Sequence, residues 1–449
     1  MDSRWAWLTG ILIVLVILIV LISAGIPGSG TMTPNVARPE NSGDLQKNVY
    51  SIPGSVSSLT GQPSGVIIRP GAGNYRTRLV LLGTTGGPTW WPDTNRTSSS
   101  SALVVGDSIY IIDLGQGSTL RLSEAFNSGA VPGSTTKDGT SLFLQNVKGL
   151  FFTHLHQDHT ADYPNLLLIG PTAGLGTATD PLTNKTLIAP LKVFGPGDRG
   201  QLEADKTGYV KRGGQIVITD STDPGAFTAT PGIRQMTKNI WQAYAQSVND
   251  MTLDNGFQDF TSLVDVREIG GTGPNDIRLP VSVPDPNNGT CPAMGPFEVY
   301  RDDKVRVTAT LVDHHQVYPA FAYRFDTADG SVVFSGDTGP DTKGNLQKLA
   351  NGSDVLVHEV IDPAWINQKF GTPEPGSQIA ALKTHMLESH TTIDAIGQVA
   401  TDCRVKTLIL NHIVPGNAPI AHLQQAQGNF SGTLIIGEDL MQIGIGRAT

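Results

Sequence analysis

The sequence predicts an α/β fold in which two β-sheets are covered by helices. Short apolar segments with the character of strands come first in antiparallel runs, and strand and helix patterns alternate later in the chain. The 51 glycines among 449 residues supply tight turns between these elements. Antiparallel runs followed by alternating strands and helices indicate layered sheets with helices on their outer faces.

The predicted strands are short apolar runs bounded by turn residues. They are Arg78–Gly83, Ala102–Val105, Ser108–Asp113, Lys148–Thr153, Val305–Val312, Ala320–Phe325, Ser331–Ser335, Val355–His358 and Thr407–Leu410. Helices are predicted over Ile233–Val248 and His390–Thr401, where apolar residues return every three or four positions. Residues 171–299 are rich in loops and contain one of these helices, and we interpret them as a substrate-facing insertion.

The first 27 residues predict a membrane segment. Residues 5–26 contain no charged side chain, and this stretch is long enough to cross the hydrocarbon core as a helix. Arg4 precedes it and the next basic residue is Arg38, which favours a cytoplasmic N-terminus. We therefore expect an anchor with the catalytic part outside the cytoplasm, in the periplasm or the extracellular space. Cleavage of the segment would instead give a secreted protein.

Composition narrows the organisation and the partners. Residues 28–75 are rich in Pro, Gly, Ser and Asn and are predicted to be a flexible tether before a domain over residues 76–449. The net charge is −9 and there is no long run of Lys or Arg, so we expect no nucleic-acid partner, because nucleic-acid binding requires cations that displace phosphate counterions. Cys291 and Cys403 are too few for a zinc site of four thiolates. Whether these cysteines pair, and whether the chain forms a homodimer, is left open.

A dense cluster of metal-binding side chains follows the predicted strand that ends near Thr153. His154, His156, Asp158 and His159 lie within six residues. Residues two apart on an extended chain point to the same side, so His154 and His156 can hold one ion while the following turn directs the other two toward a second. Imidazole nitrogen together with carboxylate oxygen is a ligand set for zinc, and also for iron or manganese. The cluster predicts a centre with two divalent ions, of which Zn²⁺ is the preferred metal.

The pattern His-x-His-x-Asp-His after an apolar strand resembles the signature of the metallo-β-lactamase superfamily. The segment Leu82–Pro88 with Arg96, and the segment Asp113–Gly117, are similar to the opening of the branch that contains ribonuclease Z and related arylsulfatases. The resemblance runs from about Arg78 to the C-terminus. It implies a four-layer αββα sandwich with the insertion, preceded here by the N-terminal transmembrane helix.

The resemblance also implies the remaining metal ligands. His314, before Pro319, occupies the position of the third ligand motif and is favoured over the neighbouring His315. Ser335–Thr338 reads Ser-Gly-Asp-Thr, whose carboxylate bridges both ions in the family. The implied first ion is held by His154, His156 and His314, the second by Asp158, His159 and His412, and Asp337 is shared.

Four further residues receive supporting or catalytic roles from the resemblance. Asp113 is expected to orient a metal-bound histidine from behind. His358 and Glu359 resemble the His-Glu segment of the ribonuclease Z branch and are expected to support the site, although His358 also fits a half-buried strand residue. His390 matches the histidine that protonates the leaving oxygen, which suits an imidazole because its pKa lies near neutrality. Asp158 and Asp337 complete the expected catalytic set.

The implied activity is hydrolysis of an ester bond by a hydroxide that bridges the two ions. The branch favours a phosphodiester or a sulfate ester, and the predicted export and acidic charge favour a small molecule as substrate. One alternative is a hydrolase of lactones or β-lactams. Another is a non-hydrolytic protein, either a redox or metal-binding module or a membrane-tethered scaffold.

Overall fold

Two large β-sheets form the framework of the protein. The computed structural model describes residues 66–68, 72–127, 142–200 and 230–448, all within one unit over 61–449. Its strands are β1 (Val66–Ile68), β2 (Tyr75–Gly83), β3 (Ser100–Val105), β4 (Ser108–Ile112), β5 (Val147–Phe151), β6 (Thr177–Thr179), β7 (Thr186–Ile188), β8 (Leu191–Pro196), β9 (Val264–Ile269), β10 (Phe297–Arg301), β11 (Val305–Leu311), β12 (Phe321–Thr327), β13 (Ser331–Phe334), β14 (Val355–Ile361), β15 (Thr407–Val414), β16 (Thr433–Ile436) and β17 (Gln442–Ala448).

Each large sheet combines an antiparallel part with a parallel part. The first has the order β1-β17-β2-β3-β4-β5-β8-β9 and becomes parallel from β4 onward. The second has the order β10-β11-β12-β13-β14-β15-β16 and becomes parallel from β13 onward. The predicted α/β class is confirmed.

Helices lie mainly in the connections of the parallel parts. They are α1 (Ser118–Phe126), α2 (Gln157–Thr160), α3 (Tyr163–Ile169), α4 (Ile233–Ala243), α5 (Ala245–Leu253), α6 (Asn345–Ala350), α7 (Pro363–Phe370), α8 (Gln378–Ser389), α9 (Ile393–Asp402) and α10 (Ile420–Leu423). Short 3-10 turns span 72–74, 143–146, 170–173, 260–263 and 424–427. None of the helices in the part of the chain that the structure describes combines the length and the apolar character needed to cross a bilayer.

Side chains alternate between the two faces of each strand, and this alternation builds three cores. Leu79 and Leu81 of β2 pack with Phe321 and Tyr323 of β12 in the cluster between the sheets. The other face of the first sheet packs on α1, α3 and α4, and the other face of the second sheet packs on α6 and α9. The two inner faces therefore share one apolar core, while helices cover both outer faces.

The region expected to be an insertion contributes to the first sheet. Within residues 171–299, β8 and β9 extend that sheet in parallel beyond β5. The helix predicted over Ile233–Val248 is divided into α4 and α5 at Tyr244, whose φ of −110° and ψ of 21° are not helical. Residues 66–68, in the predicted tether, pair with 443–445 of β17. The domain boundaries and the role of residues 171–299 in facing a substrate stay predictions.

Several predictions fall on residues without a description. The predicted membrane segment over residues 1–27 and most of the predicted tether lie outside the described residues.

Cys291 and Cys403, whose pairing the sequence left open, are both buried, and both are free thiols.

The inter-sheet core gives a test of the fold. Phe151 is fully buried, stacks on Phe194 at 4.8 Å between ring centroids, and meets Phe325 edge to face. We expect Phe151→Ala to lower the free energy of unfolding by about 3–5 kcal/mol, because the lost contacts leave a cavity. Urea denaturation measures this. Leu182→Ala, at a side chain that is 93% exposed, is the control and should change stability by less than about 0.5 kcal/mol. An equal effect of both substitutions would contradict the core described here.

Candidate metal centre

The clustered signature residues lie in a tight loop directly after β5. The strand ends at Phe151, two residues earlier than expected, and the chain enters α2 after His156, so that Asp158 and His159 sit in the first turn of that short helix. His154, Asp158 and His159 are buried. Asp113, which follows β4, anchors the loop: its carboxylate accepts hydrogen bonds from the Thr153 amide at 2.7 Å and the Thr153 hydroxyl at 2.9 Å. The loop is therefore fixed to the neighbouring strand.

Two groups of potential ligand atoms meet where strands of both sheets end. Each residue offers one atom, and within each group these atoms all lie within 4.8 Å of one another. A smaller group joins Glu359 and His390 to His412; of the two four-residue groups, the first is His154, His156, His314 and Asp337, and the second is Asp158, His159, Asp337 and His412. Asp337 belongs to both, so the site has the form of a dinuclear metal centre.

Three different strands deliver the ligand residues from the second sheet. His314 follows β11, Asp337 follows β13, and His412 lies in β15. His315 points elsewhere: its side chain is 36% exposed and lies 3.5 Å from the carboxylate of Glu388. The structure thus brings His314, and not His315, to the site.

The donor atoms fit metal ions because three of them are buried without a hydrogen bond. His154 Nε2, His159 Nε2 and Asp337 Oδ1 are buried side-chain atoms without a hydrogen-bond partner among the described residues. Leaving such atoms unsatisfied in a protein interior is costly, whereas a cation placed among them would satisfy all three. The residues present therefore suit a bound pair of cations.

Hydrogen bonds at Nδ1 fix the orientation of two histidine rings. His159 Nδ1 lies 2.9 Å from Asp113 Oδ2, and His314 Nδ1 lies 2.9 Å from the Ser389 carbonyl oxygen. Both acceptors favour a proton on Nδ1, which leaves Nε2 with a lone pair directed at the site. The predicted position of Asp113 behind a histidine agrees with this geometry.

Burial and neighbouring charges determine the protonation states of the ligand residues. Burial holds the pKa of His154 and His314 well below the usual value, so these rings are neutral. Burial alone would raise the pKa of Asp337, but His412 and His159 lower it well below its usual range. Burial would lower the pKa of His159, yet Asp337 and Asp113 raise it well above the usual value. His154 and His314 are thus neutral beside the charged carboxylate of Asp337, whereas Asp337 and Asp113 favour the protonated form of His159.

A glycine pair forms one wall of the second ligand group, a contact that sequence reasoning missed. The Gly87 amide donates to Asp158 Oδ2 at 2.7 Å. A Cβ on Gly86 would lie 2.1 Å from the His412 ring, so only glycine fits there. The glycine pair lies in the segment Leu82–Pro88, which resembles the opening of the ribonuclease Z branch, but its contact with the ligand residues was not predicted.

Glu359 and His390 form a pair beside the second ligand group. His390 Nδ1 lies 3.2 Å from Glu359 Oε1, and its ring stacks on His412 with centroids 5.8 Å apart. Glu359 Oε1 also accepts the Thr391 amide at 2.9 Å, which fixes the carboxylate. Burial opposes protonation of His390, but the nearby Glu359 raises its pKa to about 9.

His358 lies in the interior behind the centre. It is fully buried in β14, and its Nδ1 is 2.7 Å from the Glu359 carbonyl oxygen. It lines a small cavity together with Asp337, His159 and His412. It belongs to neither ligand group, so the structure places it among the surroundings of the centre.

Comparison with known proteins gives ribonucleases as relatives. No family model matches the chain. Ribonuclease Z from Mycobacterium bovis is 24% identical over 368 residues, which cover 81% of this chain and 97% of the relative. Among solved structures, the short form of human tRNase Z matches with a TM-score of 0.47 and 18% identity over 82% of this chain and all of the other. The metallo-β-lactamase fold protein YhfI from Bacillus subtilis matches with a TM-score of 0.45 and 13% identity, covering 82% of this chain and 98% of the other.

These relatives correct two predictions. We predicted an exported or membrane-anchored hydrolase of small phosphodiesters or sulfate esters. This prediction of function is wrong, because the relatives are ribonucleases. The expectation of a small-molecule partner without nucleic acid is wrong for the same reason. The net charge of −9 misled because it sums over the whole chain and does not describe the charge where a substrate binds. The location of the catalytic part outside the cytoplasm stays a prediction.

The carboxylate behind His159 provides a test of the centre. Asp113→Asn keeps the shape but removes the charge that holds the His159 ring, so we expect metal affinity to fall about 10–100-fold. Competition with a chromophoric chelator measures this affinity. Asp303→Asn is the matched control, because that side chain is 79% exposed and belongs to neither ligand group. An unchanged affinity in Asp113→Asn would show that the carboxylate does not support the ligand.

The class of the protein follows from its site, its fold and its relatives together. Two ligand groups share a buried carboxylate at the ends of strands from two sheets. Relatives that match over 81% of the chain are ribonucleases. The chain is a metal-dependent hydrolase of ester bonds that resembles ribonuclease Z.

Proposed function

We propose that this protein is a phosphodiesterase that cleaves RNA at a centre of two metal ions. The observation that carries the proposal is the pair of ligand groups that share Asp337. The ribonuclease name of the relatives supports RNA as the substrate class. We also assign the two sheets and their outer helices to the αββα sandwich of the superfamily.

The proposed ligand sets use the two groups as they stand. His154, His156 and His314 would hold one ion, Asp158, His159 and His412 the other, and Asp337 would contact both. Nitrogen and carboxylate donors of this kind suit zinc, which we propose as the metal. Two such ions supply a nucleophile at neutral pH and neutralise charge on the phosphoryl oxygens.

Charge at the site suits a phosphodiester although the whole chain is acidic. Among the seven proposed ligands, Asp158 and Asp337 carry negative charge, and the other five are histidines. Two divalent cations would outweigh two carboxylates and leave the loaded centre positive. An anionic diester is attracted by this local charge more strongly than it is repelled by distant, screened surface carboxylates.

We propose His390 as the general acid. Its Nδ1 faces Glu359, so Nε2 remains to give a proton to the leaving oxygen. Glu359 stabilises the protonated imidazolium, and its own position is fixed by the Thr391 amide. This arrangement supports a relay in which Glu359 holds the ring and His390 delivers the proton.

The experiment that tests the proposal uses the purified full-length chain with its metal content measured. The substrates are labelled single-stranded and hairpin RNAs, with DNA of the same sequence for comparison. Two bound metals and cleavage of RNA that stops on chelation are the expected result. Two bound metals without cleavage of any RNA would overturn the proposed function.

The shared carboxylate provides the sharpest single substitution. We expect Asp337→Ala to reduce the metal content below two ions per chain and to lower kcat on RNA by at least about 100-fold, because both ions lose a ligand and uncompensated charge remains. Metal analysis and single-turnover cleavage measure both effects. Asp303→Ala is the control for loss of an exposed carboxylate. Retention of two ions and of activity in Asp337→Ala would contradict the shared-ligand arrangement.

Leaving groups of different basicity test His390. A p-nitrophenolate ion leaves without a proton, whereas the alkoxide released from RNA needs one. We therefore expect His390→Ala to lower kcat on RNA by about 10²–10⁴-fold and to lower turnover of bis(p-nitrophenyl) phosphate much less. His422→Ala is the control, because this half-exposed histidine pairs with Asp362 away from both ligand groups. Equal losses on both substrates would exclude His390 as the proton donor.

A further inference from the structure

Three tryptophans occur at the glycine wall of the centre. Of the four tryptophans in the described ranges, Trp90 and Trp91 follow the Gly-Gly turn, and Trp365 lies in α7. The rings of Trp91 and Trp365 meet edge to face with centroids 5.3 Å apart. Trp90 is 82% exposed. We refer to Trp90, Trp91, Trp365 and Lys369 together as the tryptophan surface.

The tryptophan surface is continuous with the second ligand group. The Trp91 indole N–H donates to the Gly86 carbonyl oxygen at 2.8 Å. Gly86 in turn lies against the His412 ring, and the next amide, of Gly87, donates to Asp158. One short stretch of backbone therefore carries indole rings on one side and contacts proposed metal ligands on the other.

A cation accompanies the rings. The ammonium of Lys369 lies 5.3 Å from the centre of the Trp365 ring, a cation–π distance. Lys369 is exposed and has no carboxylate partner among the described residues. Aromatic rings next to an unpaired cation are the two elements by which proteins hold single-stranded nucleic acid: the rings stack on bases and the cation attracts phosphates.

We propose that the tryptophan surface stacks on the base of a nucleotide next to the scissile phosphodiester, with Lys369 near the following phosphate. This inference rests on the proposed cleavage of RNA and adds a subsite to it. Trp90 provides the free ring face, while the Trp91–Trp365 pair fixes the loop that presents it. A base is the expected occupant because this wall adjoins the second ligand group and combines aromatic rings with a cation.

The test compares two RNAs of one sequence, one intact and one abasic at a nucleotide flanking the cleaved bond. Both flanking positions are tried with the metal-loaded full-length enzyme. We expect the parent enzyme to have a KM for the intact RNA about 5–150-fold below that for one of the abasic RNAs, as stacking of one base provides. Trp90→Ala and Trp365→Leu should each reduce this preference, and metal content is measured for both.

A matched control and a salt series complete the design. Leu187→Ala removes an apolar side chain that is 50% exposed on the β6–β7 hairpin and should keep the preference for the intact RNA. Lys369→Ala should weaken the dependence of KM on salt, because one phosphate contact is lost. Trp90 is exposed, so its substitution tests the subsite even where Trp365→Leu fails to fold.

The outcomes separate the subsite from the proposed function. Cleavage of RNA with equal KM for intact and abasic substrates at both positions would overturn the stacking subsite alone. A preference that persists unchanged in Trp90→Ala and Trp365→Leu would place the stacking elsewhere and overturn it too. Absence of RNA cleavage by the parent enzyme would overturn the proposed function and the subsite with it.

Discussion

The carboxylate of Asp337 is the interaction on which the rest of the site depends. It is 98% buried, reached by histidines from both ligand groups, and carries an oxygen with no protein hydrogen bond among the described residues. A negative charge is stable in such a place only when cations or donors surround it. His154, His159 and His412 approach it from two sheets, so the sheets must meet in one register for the charge to be compensated. Burial of this charge therefore depends on the fold, because both sheets must bring their histidines to Asp337.

Two further carboxylates hold the residues around the centre in position. Asp113 holds His159 and the Thr153 backbone, and Glu359 holds His390 and the Thr391 backbone. Asp113 thus fixes one ring and the loop after β5, and Glu359 fixes one ring and the connection between α8 and α9. The backbone at the site is also strained. Asp113 and His412 have φ values of 57° and 43°, which residues other than glycine rarely adopt. Such strain persists because the surrounding hydrogen bonds and packing hold these residues in position.

The sequence was informative where chemistry depends on residue type and uninformative where it depends on backbone. The spacing of histidine and aspartate in the His-x-His-x-Asp-His pattern predicted residues that the structure brings together. The choice of His314 over His315 followed from motif position, and the geometry agrees with it. The contact of Gly86 with His412 was not predicted, because a glycine pair also occurs in ordinary turns. Helix α8 was missed because it has a broad exposed surface, including Ile379 and Leu382, and lacks a clear apolar face.

The proposed RNA substrate illustrates why composition alone can mislead about function. A net charge of −9 describes the average surface, and screening limits its reach to about 8 Å at physiological ionic strength. Phosphodiester binding depends instead on the charge within that distance of the reacting atoms. There the chain places the five histidine ligands, the carboxylates of Asp158, Asp337, Asp113 and Glu359, and the imidazole of His390. Two bound dications would balance these four carboxylates, and a protonated His390 would leave this neighbourhood positive inside an acidic protein. An acidic chain can therefore bind RNA when its cations are metals, held where the strand is cut.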